Sequence, residues 1–200
     1  MSLSRREKSA ETEQALKAAA LRLFAERGYL NTKITDITTA AGRAAGSFYN
    51  HFASKEELLQ ALLKDMAAAG DQRAEDPSHI ADFSDPEGVR YHVAGYWKFA
   101  REHTSELRAM SQAALVSPEF ARMLGEFGIA QRADVLDHFD GFADQGLHPP
   151  STVDASVAMM YSMTQSMLVQ VEDGTVELTD EQAIEGLTRF IYRGLTGRDY

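Results

Sequence analysis

The chain has 200 residues, 44% of them hydrophobic and 25% charged, the mix of an ordinary soluble globular protein with a core large enough to need no covalent staples. It has no cysteine, which excludes disulfide frameworks, thiolate zinc sites and cysteine nucleophiles. The net charge of −10 is unevenly spread: residues 1–55 hold nine Lys/Arg against five Asp/Glu, a net +4, and the remainder carries −14. Taken whole, that charge argues against a nucleic-acid partner; a basic head on an acidic body is the asymmetry that reopens the question.

No apolar run follows the basic start, so no signal peptide is expected. Ala15, Leu16, Ala19, Ala20, Leu23 and Phe24 then form one stripe at spacings of three and four, the mark of an amphipathic helix, with Gly28 placed to end it. Thr32 is placed to cap a second helix, with Ile34 and Ile37, that breaks at Gly42; a third short helix sets Phe48 and Phe52 four apart. Ser54 and Glu57 form a predicted capping box that opens a helix along Leu58, Leu59, Leu62, Leu63 and Met66. The polar stretch from Gly70 to Asp85, with Pro77 inside it and Pro86 beyond, is expected to be a loop. Long helices are predicted over 86–103, 106–116, 118–143, 152–172 and 180–196. No segment alternates as a strand does, so the fold class is all-α. The longest uncharged stretch, residues 155–171, is too short and too polar for the roughly 20 apolar residues of a bilayer span. A cytoplasmic protein without a membrane partner is expected.

The three short helices of residues 13–52 have the dimensions of a DNA-reading helix-turn-helix, with Thr32–Ala41 as positioning helix and Ala45–Phe52 as recognition helix. Phe48 and Phe52 would anchor the latter, leaving Arg43, Gly46, Ser47 and Asn50 on the opposite face, small or hydrogen-bonding groups able to approach base edges. Tyr49, His51 and Lys55 flank that face and suit phosphate contacts, which fix register without reading sequence. Thr32, Lys33 and Ala45, at the helix starts, complete the candidate DNA-binding set. Arg5, Arg6 and Lys8 form a basic N-terminal arm, of a kind that either enters a minor groove or stays solvated.

Thr32-Lys33-Ile34-Thr35-Asp36-Ile37, Ala40-Ala41-Gly42 and Gly46-Ser47-Phe48-Tyr49-Asn50-His51-Phe52-Ala53-Ser54-Lys55-Glu56-Glu57-Leu58 together resemble the DNA-binding signature of the tetracycline-repressor (TetR) family, over about a quarter of the chain. Thr38, Arg43 and Ala44 depart from its usual Ala, small apolar residue and Ser/Thr helix cap. The resemblance implies an N-terminal helix-turn-helix DNA-binding domain over residues 1–55 and a C-terminal helical effector-binding and dimerisation domain over residues 56–200.

The body supplies its own reasons for such a domain. The helix near 152–172 is apolar nearly all round, with Val153, Val157, Met160, Tyr161, Thr164, Leu168 and Val171 on one side and Met159, Met163 and Met167 on another. Such a helix needs cover on both sides. The last helix carries Ile184, Leu187, Ile191 and Leu195 in one stripe with Phe190 beside it. Two helices of this kind per chain suit a homodimer built on a four-helix interface, as the family commonly uses. Tyr96, Trp97, Met110, Met123, Phe127, Met159, Tyr161 and Met163 are candidates to line a pocket for a small, largely apolar effector, each with simple core as the alternative. Gln112, Gln131 and Gln165 are candidates to orient a polar group of that ligand, each with a surface position as the equal alternative.

No Gly-rich phosphate loop, metalloprotease motif or nucleophile elbow is present, so neither an enzyme nor a cofactor is expected. The six histidines are scattered; His138 lies among Asp134, Asp137, Asp140 and Asp144, which have the pattern of a solvated helix face, and no metal site is assigned. The expected function is a repressor released from a palindromic DNA operator by its effector. The alternatives are an activator of the same family, or a helical small-molecule-binding protein or enzyme keeping a non-functional helix-turn-helix.

Overall fold

The computed structural model describes residues 4–74 and 79–200, and among these it holds nine α-helices, two short 3₁₀ turns and no strand. Helix α1 (Arg5–Arg27) starts well before its apolar stripe because Ser4 and Glu7 form a reciprocal capping box, each accepting from the other's backbone N–H. Arg5, Arg6 and Lys8 are therefore helical in the first turns of α1 and do not form an extended arm. Helix α1 ends at Gly28, whose φ of +80° a side chain would strain.

Short helices α2 (Ile34–Ala40) and α3 (Ala45–Tyr49) follow, then α4 (Lys55–Ala74). Residues 70–74, expected in a loop, are helical; Pro77 lies outside the described residues. Pro86 opens α5 (Pro86–Glu102), where its missing N–H is harmless, with Asp85 as cap. Helices α6 (Thr104–Val116) and α7 (Pro118–Ala133) come next. The predicted helix over 118–143 stops at Ala133 and continues as 3₁₀ turns Leu136–Phe139 and Ala143–Gln145. The aspartates and Gly141 favour a helix poorly, and the carbonyl of His138 accepts instead from the N–H of Phe83 at 3.0 Å. Helices α8 (Val153–Glu172) and α9 (Asp180–Thr196), capped by Thr152 and Thr179, close the chain.

Two compact units result. The first takes residues 4–74 and 104–124 of the described chain, so α6 belongs with the head. Within it α1 packs on α2 and α6, α2 on α3, and α4 on α6, around Leu16, Ala20, Phe24, Ile37, Phe48, Leu58, Leu59, Met110 and Ala113. Gln112 on α6 accepts from the N–H of Tyr29 at 2.7 Å, which ties α6 to the turn after α1. The second unit takes residues 79–103 and 125–200. Its α5 lies between α8 and α9, burying Val89, Val93, Trp97 and Ala100 against Val157, Met160, Leu168, Leu187, Ile191 and Leu195. Arg90 pairs with Glu181 at 2.7 Å and Glu185 at 3.0 Å, pinning α5 to α9 at the surface. No described helix is long and apolar enough to cross a membrane.

Candidate nucleic-acid interface

Helix α3 sits on α2 through Phe48, which is wholly buried, and through Phe52 just beyond its end, the two rings 5.6 Å apart. The turn between α2 and α3 closes with the Arg43 N–H on the Thr38 carbonyl at 2.9 Å, a path that needs the +65° φ of Gly42. Anchored this way, α3 presents Ala45, Gly46, Tyr49 and Asn50 to solvent, with Ser47 half-buried among them; Lys33 is exposed before α2. A Cβ at Gly46 would meet nothing within 4 Å, so this face is open to the approach of a large surface. Ala44 stands at the helix N-cap and supplies no side-chain acceptor, and the cap of α2 comes from Asp36, whose carboxylate accepts from the Lys33 N–H at 2.9 Å.

Four residues expected to contact DNA are engaged within the head. Thr32 is buried, its hydroxyl donating to the Gly28 carbonyl at 2.8 Å, so it neither caps α2 nor offers a group to a phosphate. Lys55 turns its ammonium inward to the carbonyls of Tyr29 at 2.8 Å and Thr32 at 2.7 Å, 4.0 Å from the Tyr29 ring centre. Both are corrections to the expected contacts, with one cause: the turn after α1 has carbonyls to satisfy, and the Thr32 hydroxyl and the Lys55 ammonium satisfy them. Arg43 donates to Glu11 at 3.0 Å from a half-buried position, and His51 lies 4.0 Å from Glu13 with little exposure. Glu57 accepts from the Ala53 N–H while Ser54 accepts from the Glu57 N–H, so the predicted box forms with its return bond one residue earlier.

The candidate effector residues separate. Tyr96, Trp97 and Tyr161 lie in the second unit, where the Tyr96 and Tyr161 rings are 5.0 Å apart and the Tyr96 hydroxyl donates to Gln165 at 2.8 Å. Burial pushes both phenols up to about 12. Trp97 is buried and its indole N–H has no acceptor among the described residues. Phe127 is half-buried in the same unit, whereas Met110 and Met123 belong to the unit that contains the head, Met110 as a core residue. Met159 is 45% exposed, and Met163 lines a groove of about 390 Å³ between α8 and α9 with Met167, Gly186 and Phe190. Among the described residues, α8 thus buries Val157, Met160, Thr164 and Leu168 and leaves Met159 and Val169 exposed.

The sequence reading assigned no role to His79, His92 and His138, which the structure brings together in the second unit. They come from the loop before α5, from α5 itself and from the first 3₁₀ turn. Burial, reinforced by the two neighbouring imidazoles, drives His92 down to about 3. With separations of 13 and 59 residues there is no local spacing to betray the cluster.

This geometry has relatives. Residues 16–62 match the model of the bacterial regulatory proteins, tetR family. The repressor KstR2 of Mycobacterium tuberculosis is 51% identical over 45 residues, 22% of this chain and 22% of that protein. The regulator TtgR of Pseudomonas putida is 39% identical over 83 residues, 42% of this chain and 39% of its own. The chain thus spans well under half the length of these relatives. Over the whole fold, the transcriptional regulator FadR of Bacillus subtilis, solved in complex with stearoyl-CoA, superposes with a TM-score of 0.74 at 17% identity, covering 90% of this chain and 98% of that one. The head thus matches the bacterial regulatory proteins of the tetR family over residues 16–62, and the fold as a whole is similar to that of solved transcriptional regulators.

Proposed function

We propose that the chain is a sequence-specific transcriptional repressor that binds a palindromic operator as a homodimer and is released by a small effector. The observation that carries the reading is the exposed face of Ala45, Gly46, Tyr49 and Asn50, with Ser47, on a short helix whose opposite side is locked by Phe48 and Phe52. A rigid helix edged with small and hydrogen-bonding residues fits a major groove, where base edges carry a distinct donor and acceptor code. Exposed Lys33 and the Tyr49 hydroxyl serve the phosphates on either side, Asn50 and Ser47 the bases. Residues 1–55 supply the reader, and residues 56–200 the effector and dimer contacts.

A second copy of the chain fits the outer face of α8 and α9. Phe190 is 69% exposed, flanked one turn away on each side by Gly186 and Gly194, at neither of which a Cβ would meet a neighbour. Small residues around a projecting ring let another helix approach closely, and the groove beside it is lined by Met163, Met167 and Leu187. The effector reading rests on Tyr96, Trp97, Tyr161 and Gln165: two packed phenol rings, a polar tip and an indole donor without an acceptor among the described residues suit a largely apolar molecule with one polar group. FadR, which holds stearoyl-CoA, supports an effector of apolar character. Release follows if the effector binds one dimer geometry more tightly than another; affinity without that difference shifts nothing.

Selection of bound duplexes from a random pool, at physiological salt and with protein refolded free of ligand, tests the reading. An enriched inverted repeat is expected. Folded dimer that enriches no sequence overturns it.

A further inference from the structure

We propose that His79, His92 and His138 form a site for one divalent transition-metal ion of the zinc class, with three imidazole ligands and a fourth position left open. The His79 Nε2 lies 3.2 Å from the His92 Nε2 and 3.1 Å from the His138 Nε2, and one ring nitrogen of each residue lies within 4.8 Å of the others. Imidazole nitrogens about 2.0–2.1 Å from a tetrahedral ion stand about 3.3 Å apart, so these spacings are those of ligands around a common centre.

Hydrogen bonds among the three rings do not account for the arrangement. Asp137 holds the Nδ1 of His138 at 2.7 Å, which fixes the proton there and leaves the Nε2 as a lone pair. The backbone carbonyl of Ile80 accepts from the imidazole of His92. The Nε2 of His92 faces His79, so that carbonyl engages its other nitrogen, and a second lone pair points at the same atom. A neutral His79 has one proton to offer at Nε2 and two acceptors in front of it, both at hydrogen-bond distance. A cation at the centre satisfies all three lone pairs.

The surroundings are those of a built site. The ring of Phe83 lies 5.0 Å from that of His92 and 5.1 Å from that of His138, forming an apolar wall. Its N–H on the His138 carbonyl fastens the loop to the 3₁₀ turn. The same loop meets α5 at Gly88, where a Cβ would sit 1.9 Å from the Asp82 carbonyl oxygen, so backbone packs directly on backbone beside the ligands. His79 and His92 are only half-buried, which leaves a path for the ion and for water in the fourth position. Three imidazoles without a thiolate suit zinc, cobalt or nickel more than magnesium or calcium.

The test uses the untagged full chain, stripped with a chelator and titrated with Zn²⁺ by calorimetry and with Co²⁺ by visible absorption. One ion per chain is expected, with the intense visible bands of four-coordinate Co²⁺. His79→Ala, at a half-buried loop position that leaves the fold intact by circular dichroism, should weaken binding roughly 100-fold, and Asp137→Asn by about 10- to 100-fold. His79→Gln, which keeps the size but not the imidazole, should behave as His79→Ala does. Zn²⁺ affinity unchanged in His79→Ala, the faint spectrum of six-coordinate Co²⁺, or no binding at all would each overturn the assignment.

Discussion

Lys33 and Lys55 flank the helix-turn-helix in sequence, but their ammonium groups have different surroundings. Lys33 is exposed, so Lys33→Ala should lower the slope of log affinity for DNA against log salt by about 0.9 per subunit, with little change in stability. Lys55 satisfies two carbonyls in the turn after α1, so Lys55→Ala should cost about 2 kcal/mol in a denaturant titration. If the two phenotypes are exchanged, the inward position of Lys55 is wrong. Three of the seven tyrosines, Tyr29, Tyr96 and Tyr161, hold their phenol protons more tightly than free tyrosine, chiefly through burial. A pKa raised in the fold gives stability that is complete below the unfolded value of about 10 and is lost as pH rises through the folded one. The melting temperature should therefore fall between about pH 10 and 12, and these three phenolates should appear in the ultraviolet spectrum only as the protein unfolds. Tyr29, Tyr96 and Tyr161 titrating near pH 10 in a folded chain would contradict the burial. Gly88→Ala drives a methyl into the Asp82 carbonyl and should cost about 2–3 kcal/mol by thermal melting, although alanine is the better helix former.

Among the helices, what was legible in the sequence is what local chemistry decides. The start of α5 at Pro86, the end of α1 at Gly28 and the bounds of α8 and α9 follow from caps and apolar spacing within a few residues. The open face of α3 was legible too, because Phe48 and Phe52 define the side that must be buried. The early start of α1 at Arg5 was also locally encoded, in Ser4 and Glu7, a capping box that the apolar stripe overshadowed. Departures arise where a distant group decides. Beyond the end of α7 at Ala133, the carbonyl of His138 accepts from Phe83, 55 residues upstream, where a continuing helix would have used it within itself. The histidine cluster escaped notice for the same reason, since its members meet only after three separate segments have packed. Helix α9 carries the sharpest prediction at this scale. Phe190→Glu leaves the unit's own core untouched and should convert the proposed dimer to monomer in light scattering while the helical signal and its folding remain. A dimer that persists would move the interface away from α9.

At the scale of the molecule, the charge division seen in the sequence falls on the helix-turn-helix, where +4 accompanies the exposed α3, while −14 lies in the residues that follow. Such a body repels DNA, so the proposed contact falls to the head, and association should slow and weaken with salt as head-only binding requires. The path of the chain divides less simply than its charge. It leaves the first unit after residue 74, returns to it for residues 104–124, and leaves it again. Helix α6 gives that unit Ala109, Met110 and Ala113 for its interior and Gln112 for the turn after α1. A head cut at residue 74 thus lacks part of its own hydrophobic interior, and grafting the proposed DNA reader onto a foreign sensor requires two pieces of sequence to travel together. Exchange of specificity between such proteins is then open to substitutions on α3, which leave that interior alone, and closed to a simple swap of the first seventy residues.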